Sequence, residues 1–256
     1  MRKLLISILA ISGASVFAVD NSQFQAFDNE VNIGFGVQQN TTNTDKALTG
    51  ADNVLSNQNL VNLEAERLFN NGIWVDLNAD MAFGSGSGNL GQNSNISNYG
   101  FNGKVGYAFP LLNQHLQLTP YALLGLNNNG TAGDYNFPVN NASSMFTDNQ
   151  FFYTAGAGGR LEYRINHTFL VYADQLVAYN MDQTGYNFGV APQNNVQFTT
   201  TLGAKFNIVD DFQLGVKGFY TNYQAQGSSN VPAANANLLA QAQSGIGGMI
   251  TLGLTY

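Results

Sequence analysis

The sequence predicts an all-β fold, a transmembrane antiparallel up-and-down β-barrel of ten strands, with eight strands as the alternative. Three observations predict it. Apolar and polar residues alternate with a period of two along most of the chain, and short connections alternate with long ones. Charged residues make up only 10% of the sequence, against about 25% in ordinary globular domains. Past residue 18, no apolar run approaches the roughly 20 residues of a spanning helix.

Residues 1–18 predict a secretory signal peptide that is cleaved after Ala18. Arg2 and Lys3 supply the positive start, an apolar run follows from Leu4 to about Ile11, and Val16 and Ala18 are small enough for the −3 and −1 positions. A membrane anchor, the alternative, needs roughly 20 apolar residues, and this run is shorter. We therefore expect residues 19–256 to form a single barrel domain.

The charge of the mature chain excludes several partners. Without Arg2 and Lys3, 9 − 2 = 7 basic residues face 16 acidic ones, a net charge near −9. Such a chain is poorly suited to nucleic acid or to anionic lipid surfaces. Cysteine is absent, so no disulfide framework is expected.

The first half of the mature chain contains five alternating runs. In the first of them Val31, Ile33 and Phe35 share one face, and Glu30 and Asn32 share the other. The fifth is the least regular, because Pro120 cannot donate to a strand ladder. The runs are EVNIGFGV from Glu30, VNLEAER from Val61, IWVDLNADMAF from Ile73, YGFNGKVGYAF from Tyr99 and QLTPYALLGL from Gln117.

Five more runs follow, which brings the predicted strand count to ten. Each again places large apolar residues on one face, as Leu161, Tyr163 and Ile165 do in the sixth. They are YTAGAGGRLEYRI from Tyr153, TFLVYADQLVAY from Thr168, VQFTTTLGAKFNI from Val196, FQLGVKGFY from Phe212 and ITLGLTY from Ile250.

The connections favour a membrane barrel over a soluble sandwich. Short ones centre on Asn70-Asn71-Gly72, on residues 110–114, on Asn166-His167 and on Asp210-Asp211. Long ones span about 38–59, 84–97, 127–150, 180–195 and 224–244. Tight periplasmic turns and long extracellular loops are typical of outer-membrane barrels. We therefore expect a bacterial outer-membrane location with both termini periplasmic, whereas a sandwich would carry more charge on its outward faces.

The chain also resembles the small outer-membrane β-barrels of Gram-negative bacteria, of the OmpA-like and opacity-protein type. The pieces that carry the resemblance are LTPYALLGL, GAGGRLEYRINHTFLVYAD and the C-terminal ITLGLTY. The resemblance covers the whole mature chain. One departure is the strand count, because barrels of this type usually have eight strands and this chain has ten predicted runs.

Nearly every charge at membrane level is predicted to face the lumen, because a lipid-facing charge at the midplane costs about 2–4 kcal/mol. Arg67 is the exception, because the alternation places it on the outward face. It lies beside a turn, where its long side chain can reach the membrane interface. The acidic set is Glu30, Glu64, Glu66, Asp76, Asp80, Glu162 and Asp174. The basic set is Lys104, Arg160, Arg164, Lys205 and Lys217.

Two interpretations of these charges remain open. They pair across a narrow lumen and help to fill it, or they line a small aqueous channel of weak selectivity. Ten strands lie closer to the roughly eight whose lumen side chains can fill than to the 16–18 of open channels, which favours the filled barrel. Small inward residues argue for some free space, and they are Gly34, Gly36, Gly100, Gly156, Gly158, Gly203 and Gly215.

Catalysis is not expected. Barrel hydrolases of this kind commonly need a histidine near the outer rim, and His115 and His167 both fall on predicted periplasmic turns. Ser85, Ser143 and Ser144 in the loops then lack a base on the same side. We expect no cofactor, and no ligand spacing is specific enough to assign a metal.

The long loops predict contact with the outside. They contain more acidic than basic residues, and an acidic rim could hold divalent cations that bridge to lipopolysaccharide. The third loop also carries an apolar cluster, which could fold over the barrel mouth or contact a partner. This cluster consists of Tyr135, Phe137, Met145 and Phe146.

The last run predicts the closing strand and an assembly signal. Ile250, Leu252 and Leu254 should face lipid, Tyr256 should lie in an aromatic girdle, and the strand should pair with the one near Glu30. The pattern resembles the C-terminal signal read by the barrel-assembly machinery.

The function that these observations favour is a non-enzymatic surface and envelope-structural protein in contact with outer-membrane lipid and lipopolysaccharide. A narrow porin for ions or small polar solutes is the alternative, and an adhesin acting through the long loops is the weaker one.

Overall fold

The computed structural model describes residues 21–43, 53–87, 93–112, 114–137, 142–182, 195–209, 211–225 and 243–256, so the predicted signal peptide lies outside the described residues. No helix in these ranges is long and apolar enough to cross a membrane. One short helix precedes eleven strands. In chain order they are α1 (Ser22–Asp28), β1 (Glu30–Asn43), β2 (Asn53–Leu68), β3 (Ile73–Ser87), β4 (Asn93–Tyr107), β5 (Phe109–Leu111), β6 (Leu116–Phe137), β7 (Ala142–Arg164), β8 (Phe169–Asp182), β9 (Asn195–Val209), β10 (Phe212–Ala225) and β11 (Gln243–Thr255).

Ten of the strands close into a barrel, which confirms the predicted fold class and strand count. Neighbouring barrel strands pair antiparallel, and β4 pairs directly with β6. The three-residue β5 continues beyond the end of β4 and pairs with the start of β6. The ring closes between β1 and β11, from Glu30↔Thr255 to Thr42↔Gln243. The pairing predicted for the closing strand is therefore confirmed. Closure gives each of the ten barrel strands a paired neighbour on both sides within the ring, as a membrane interior requires.

The period-two alternation separates an apolar outer face from a polar inner one. Outward side chains such as Val31, Phe35 and Leu254 are more than half exposed, which is expected of a surface that contacts lipid. Arg67 is exposed on the outer face, and its guanidinium carbon lies 4.9 Å from the ring centre of Phe69 and 5.8 Å from that of Tyr256. The inner face instead carries buried carboxylates, amides and hydroxyls.

The short and long connections lie at opposite ends of the barrel. We call the end with the turns near Gly72, His167 and Asp211, together with the C-terminal Tyr256, the turn end, and the opposite end the loop end. Gly72 has a φ of +85°, a left-handed conformation that favours glycine.

The strands run further toward the loop end than the sequence predicted. β6 and β7 remain paired to Phe137↔Ala142, so Tyr135, Phe137, Met145 and Phe146 lie on a paired hairpin and not in an irregular loop. β1 likewise extends to Asn43 and β2 begins at Asn53. The predicted loops were too long because ladder pairing continues where both faces are polar, and no alternation then marks the strand.

The sequence did not predict α1, which occupies the lumen at the turn end. Its Phe24 and Phe27 are fully buried and pack with the inward residues Leu68, Trp74 and Leu170. A helix of seven residues is too short to be stable alone. Packing inside the barrel therefore stabilises it.

Two of the inward glycines, Gly158 and Gly203, make room for aromatic rings. A Cβ at Gly203 would collide with the ring of Tyr172, and one at Gly158 would collide with the ring of Tyr121. The free space that these glycines suggested is therefore filled at both positions.

Replacing Gly203 by alanine is expected to destabilise the barrel by about 1–3 kcal/mol, because overpacking forces the Tyr172 ring to move. Gly159 is the matched control, since a Cβ there meets nothing within 4 Å. Urea unfolding of both alanine variants in lipid vesicles measures the difference. Equal unfolding free energies for the two variants would contradict this account of Gly203.

Candidate functional site in the barrel lumen

The inward charges meet at Glu66, close to α1. Glu66 Oε1 accepts a hydrogen bond from Trp74 Nε1 at 2.6 Å and lies 2.9 Å from Arg160 Nη1. Glu66 Oε2 lies 2.8 Å from Lys205 Nζ. The charged side chains of all three ionisable residues are at most 7% exposed. Glu66 thus joins β2, β3, β7 and β9 through one carboxylate.

The same network reaches the helix and the first strand. Lys205 Nζ is 2.9 Å from Glu30 Oε1 and 3.3 Å from Asp28 Oδ1, and Arg160 Nε is 2.8 Å from Glu162 Oε1. We call this set the charge cluster, and its members are Asp28, Glu30, Glu66, Arg160, Glu162 and Lys205.

Gln117 bridges the two acidic sides of the cluster. Its Nε2 donates to Asp28 Oδ2 at 3.1 Å and to Glu162 Oε2 at 2.7 Å. The side chain is fully buried on β6. Buried polar groups are costly without partners, so these bonds hold Asp28 against the barrel wall.

Wall side chains also hold the backbone of α1. Lys205 Nζ donates to the carbonyl of Phe27 at 3.0 Å, and Asn207 Nδ2 donates to that of Ala26 at 2.9 Å. Gln213 Nε2 lies 3.3 Å from the Phe27 oxygen as a further donor. The last carbonyls of a helix have no hydrogen-bond partner within it. These side chains supply the missing donors for α1.

The other seven predicted lumen charges are not part of the charge cluster. Lys104 pairs with Asp76 at 2.9 Å, and Lys217 pairs with Glu64 at 3.0 Å. The remaining three have no ion pair among the described residues. Asp80 accepts from Asn62, Asp174 accepts from Tyr121, and Arg164 is the last residue of β7.

Three carboxylates converge in the cluster closely enough to suggest a metal site. Oxygens of Asp28, Glu66 and Glu162 lie within 4.8 Å of one another. The cations of Lys205 and Arg160, however, contact these same residues. The donor set is therefore better suited to ion pairing within the chain than to holding a cation.

Toward the loop end, uncharged side chains bind one another around half of the wall. Asn127 Nδ2 donates to Thr154 Oγ1 at 2.7 Å, and Thr154 Oγ1 donates to Asn180 Oδ1 at 2.6 Å. The chain of bonds continues from Asn180 through Gln197 to Thr199, and Thr199 Oγ1 is 3.1 Å from Thr221 Oγ1. Thr154, Asn180 and Thr221 are buried, so side chains occupy this level of the lumen as well.

Three residues of the site, Asp28, Trp74 and Gln117, were not predicted from the sequence. The signal for Trp74 was its parity, since it shares the inward face of β3 with Asp76. The signal for α1 was Phe24 and Phe27, three residues apart in a short polar segment, which is helical spacing. Asp28 follows directly after that pair.

Both histidines lie at the turn end. His115 precedes β6, and its Nδ1 is 3.2 Å from the carbonyl oxygen of Arg164. His167 is exposed in the turn between β7 and β8. Neither is near the loop end, where Ser85 lies on β3 and Ser143 and Ser144 lie on β7.

The C-terminal residues complete the seam of the barrel. Ile250, Leu252 and Leu254 are exposed on the outer face. The backbone N–H of Tyr256 donates to the carbonyl of Asn29 at 3.1 Å. Its ring, 63% exposed, stands beside Arg67 at the turn end.

Comparison with known proteins agrees with this architecture. The family model described as "outer membrane protein beta-barrel domain" matches residues 6–191. The chain belongs to this family. Membership implies a bacterial outer-membrane location for this outer membrane β-barrel protein, and the class-level resemblance drawn from the sequence is confirmed. No curated protein matches it in sequence.

Solved structures share the fold of this outer membrane β-barrel protein. The outer membrane protease OmpT from Escherichia coli aligns with a TM-score of 0.52 and 10% identity, over 90% of this chain and 97% of that one. The transport unit of the autotransporter AIDA-I from Escherichia coli aligns with 0.52 and 10%, over 89% and 90%. At such identities the likeness concerns the fold alone.

Proposed function

We propose that this protein is a non-enzymatic surface and envelope-structural barrel whose lumen is closed by α1. The observation that carries the proposal is the docking of α1 on the charge cluster. Phe24 and Phe27 fill the lumen at the turn end, and Asp28 joins the cluster on the wall. In this proposal the turn end and both termini face the periplasm, and the long hairpins face outward.

The cluster itself supports a closed lumen. Its charged side chains are at most 7% exposed, whereas charges that line an aqueous channel would contact water. Burial of charges is favourable only when they are paired and hydrogen-bonded. Glu66 and Lys205 meet that condition through their contacts in the cluster.

The absence of a catalytic role is part of the proposal. His115 and His167 lie at the turn end, away from Ser85, Ser143 and Ser144. A serine nucleophile needs a base within hydrogen-bonding reach. The protease OmpT shares the fold, but a barrel hosts many functions and the fold implies none of them.

Planar-bilayer recording tests closure. The full mature chain should give rare, small conductance steps, and a variant that lacks residues 21–28 should give frequent or larger ones. Gln23→Ala is the control, because Gln23 is exposed on α1 and its loss should leave the lumen closed.

Steady conductance of the full chain would overturn this proposal in favour of the narrow porin. The porin alternative further requires that Asp80→Asn or Lys217→Met change the ion selectivity. An adhesin, the weaker alternative, requires that shortening the β6–β7 hairpin reduce binding to host cells or matrix.

We propose that acyl chains surround the outer face and that lipopolysaccharide contacts the loop end. The barrel-assembly machinery would read Ile250, Leu252, Leu254 and Tyr256 during insertion. These side chains share the outer face of β11 and its end, as the C-terminal signal pattern requires.

Deletion of Tyr256 is expected to reduce the yield of inserted barrel, because the terminal aromatic and its hydrogen bond to Asn29 are lost. Shortening the connection at residues 229–235 is the control and should cost less yield. The fraction of protein with heat-modifiable gel mobility measures insertion. Equal yields for the two variants would remove the assembly role.

A further inference from the structure

The charge cluster contains more acid than base. It has four carboxylates, from Asp28, Glu30, Glu66 and Glu162, and two cations, from Arg160 and Lys205, so its net charge is −2 when all are ionised. A buried group without a compensating charge becomes neutral by binding a proton.

One of the four carboxylates arrives with the helix. Asp28 is the only charged residue of α1, and the other three are on the wall. Docking of α1 therefore brings a third carboxylate within 4.8 Å of Glu66 and Glu162. Carboxylates this close share protons and titrate together.

Several strands packed around α1 contribute charged residues near Asp28. Glu30 comes from β1, Glu66 from β2, Arg160 and Glu162 from β7, and Lys205 from β9. The contacts from β3, β6, β8 and β10 are Trp74, Gln117, Leu170 and Gln213, and none of these titrates in the physiological range. β11 contains no titratable residue.

We propose that α1 docks together with a proton, which the neighbouring carboxyls of Asp28, Glu66 and Glu162 share, so that the helix is a proton-linked plug. Gln117 Nε2 donates to Asp28 Oδ2 and Lys205 Nζ donates to Oδ1, so a proton on Asp28 would be donated to an oxygen of Glu66 or Glu162, which lie within 4.8 Å. Burial, with Glu162 and Glu66 beside it, raises the pKa of the docked Asp28 carboxyl well above its ordinary value.

The direction of the pH dependence follows from this linkage. An undocked Asp28 would titrate near pH 4, the ordinary value for aspartate, whereas the docked residue keeps its proton to a higher pH. Between these two pKa values the docking equilibrium constant falls up to tenfold for each pH unit. The plug is therefore tightest near and below pH 4 and weakens as the pH rises.

Trp74 allows a direct measurement. It is the only tryptophan of the chain, it is fully buried, and it packs in the same core as Phe24 and Phe27. When α1 leaves, the indole becomes accessible to acrylamide. Fluorescence quenching between about pH 5 and about pH 9 therefore reports docking. A variant that lacks residues 21–28 gives the undocked reference at each pH and removes any direct effect of pH on the indole.

Quenching of the wild type should increase toward alkaline pH, and Asp28→Asn should remain weakly quenched throughout, because its amide needs no proton. Asp211→Asn is the matched control, since Asp211 is exposed in a turn at the same end, and it should behave as the wild type. The same series is repeated in a Phe24→Ala background. Loss of the buried Phe24 ring weakens docking and brings the equilibrium into the measurable range.

Flat quenching of the wild type in both backgrounds, or an unchanged pH dependence in Asp28→Asn, would overturn the proposal. The further idea that pH regulates passage through the lumen rests on the closed lumen proposed above. The two can fail separately, because fluorescence measures whether the helix docks and bilayer recording measures whether the docked helix blocks ions.

Discussion

Replacing Glu66 by alanine is expected to lower the free energy of unfolding by about 3–5 kcal/mol, the cost of removing one partner from a buried ion pair. The substitution takes from Arg160, Lys205 and the Trp74 indole a partner that lies within 2.9 Å of each. Urea unfolding in lipid vesicles, followed by circular dichroism, measures the change.

Two further variants separate charge from shape at this position. Glu66→Gln keeps the shape and an acceptor for the indole, so its loss should be smaller than that of Glu66→Ala. Glu64→Ala is the matched control on the same strand, because among the described residues Glu64 has one ion pair, with Lys217, and both side chains are partly exposed. If Glu66→Ala lowered the free energy of unfolding no more than Glu64→Ala, the conclusion that Glu66 holds the charge cluster together would be wrong.

Replacing Trp74 by alanine should cost a similar amount, about 3–5 kcal/mol, which is typical of a large buried aromatic. The indole is fully buried, its ring centre lies 5.7 Å from that of Tyr121, and it packs in the same core as Phe24 and Phe27. The cavity would also remove the surface on which α1 docks. The same unfolding measurement tests this, and acrylamide cannot be used because the tryptophan is lost.

Trp74→Phe divides that loss into packing and hydrogen bonding. It keeps most of the ring contacts but leaves Glu66 without the indole N–H, at a cost of about 1–3 kcal/mol. Ile73→Ala is the control, because Ile73 neighbours Trp74 in sequence and is exposed on the outer face. If Ile73→Ala were as costly as Trp74→Ala, packing inside the lumen would not be the cause.

The sequence predicted the faces of the strands well. Val31, Ile33 and Phe35 alternate with Glu30 and Asn32, and a period of two fixes which side chains share a face, whatever the rest of the chain does. It also predicted closure of β11 onto β1, because an unpaired edge cannot exist in lipid. Ends of strands were predicted poorly, since alternation fades where both faces are polar.

The sequence placed the twelve lumen charges on one face but could not tell which of them meet. Glu66 and Arg160 are 94 positions apart, and Lys205 and Asp28 are 177 apart. Periodicity is local, whereas contacts across a lumen depend on strand tilt and register around the whole ring. Asp80 and Arg164 illustrate the limit, because they share the inward face with the others and have no ion pair among the described residues.

What the sequence determined by itself was a ten-strand barrel with an apolar outer face, a charged inner face and a closing strand that ends in Tyr256. What only the tertiary structure decided was the content of the lumen. α1 has seven residues and cannot hold its shape alone, so Phe24, Phe27 and Asp28 acquire their roles only after the barrel has formed around them. The reason is that their partners, Trp74, Gln117 and Lys205, are distant in sequence and converge only when the ring closes.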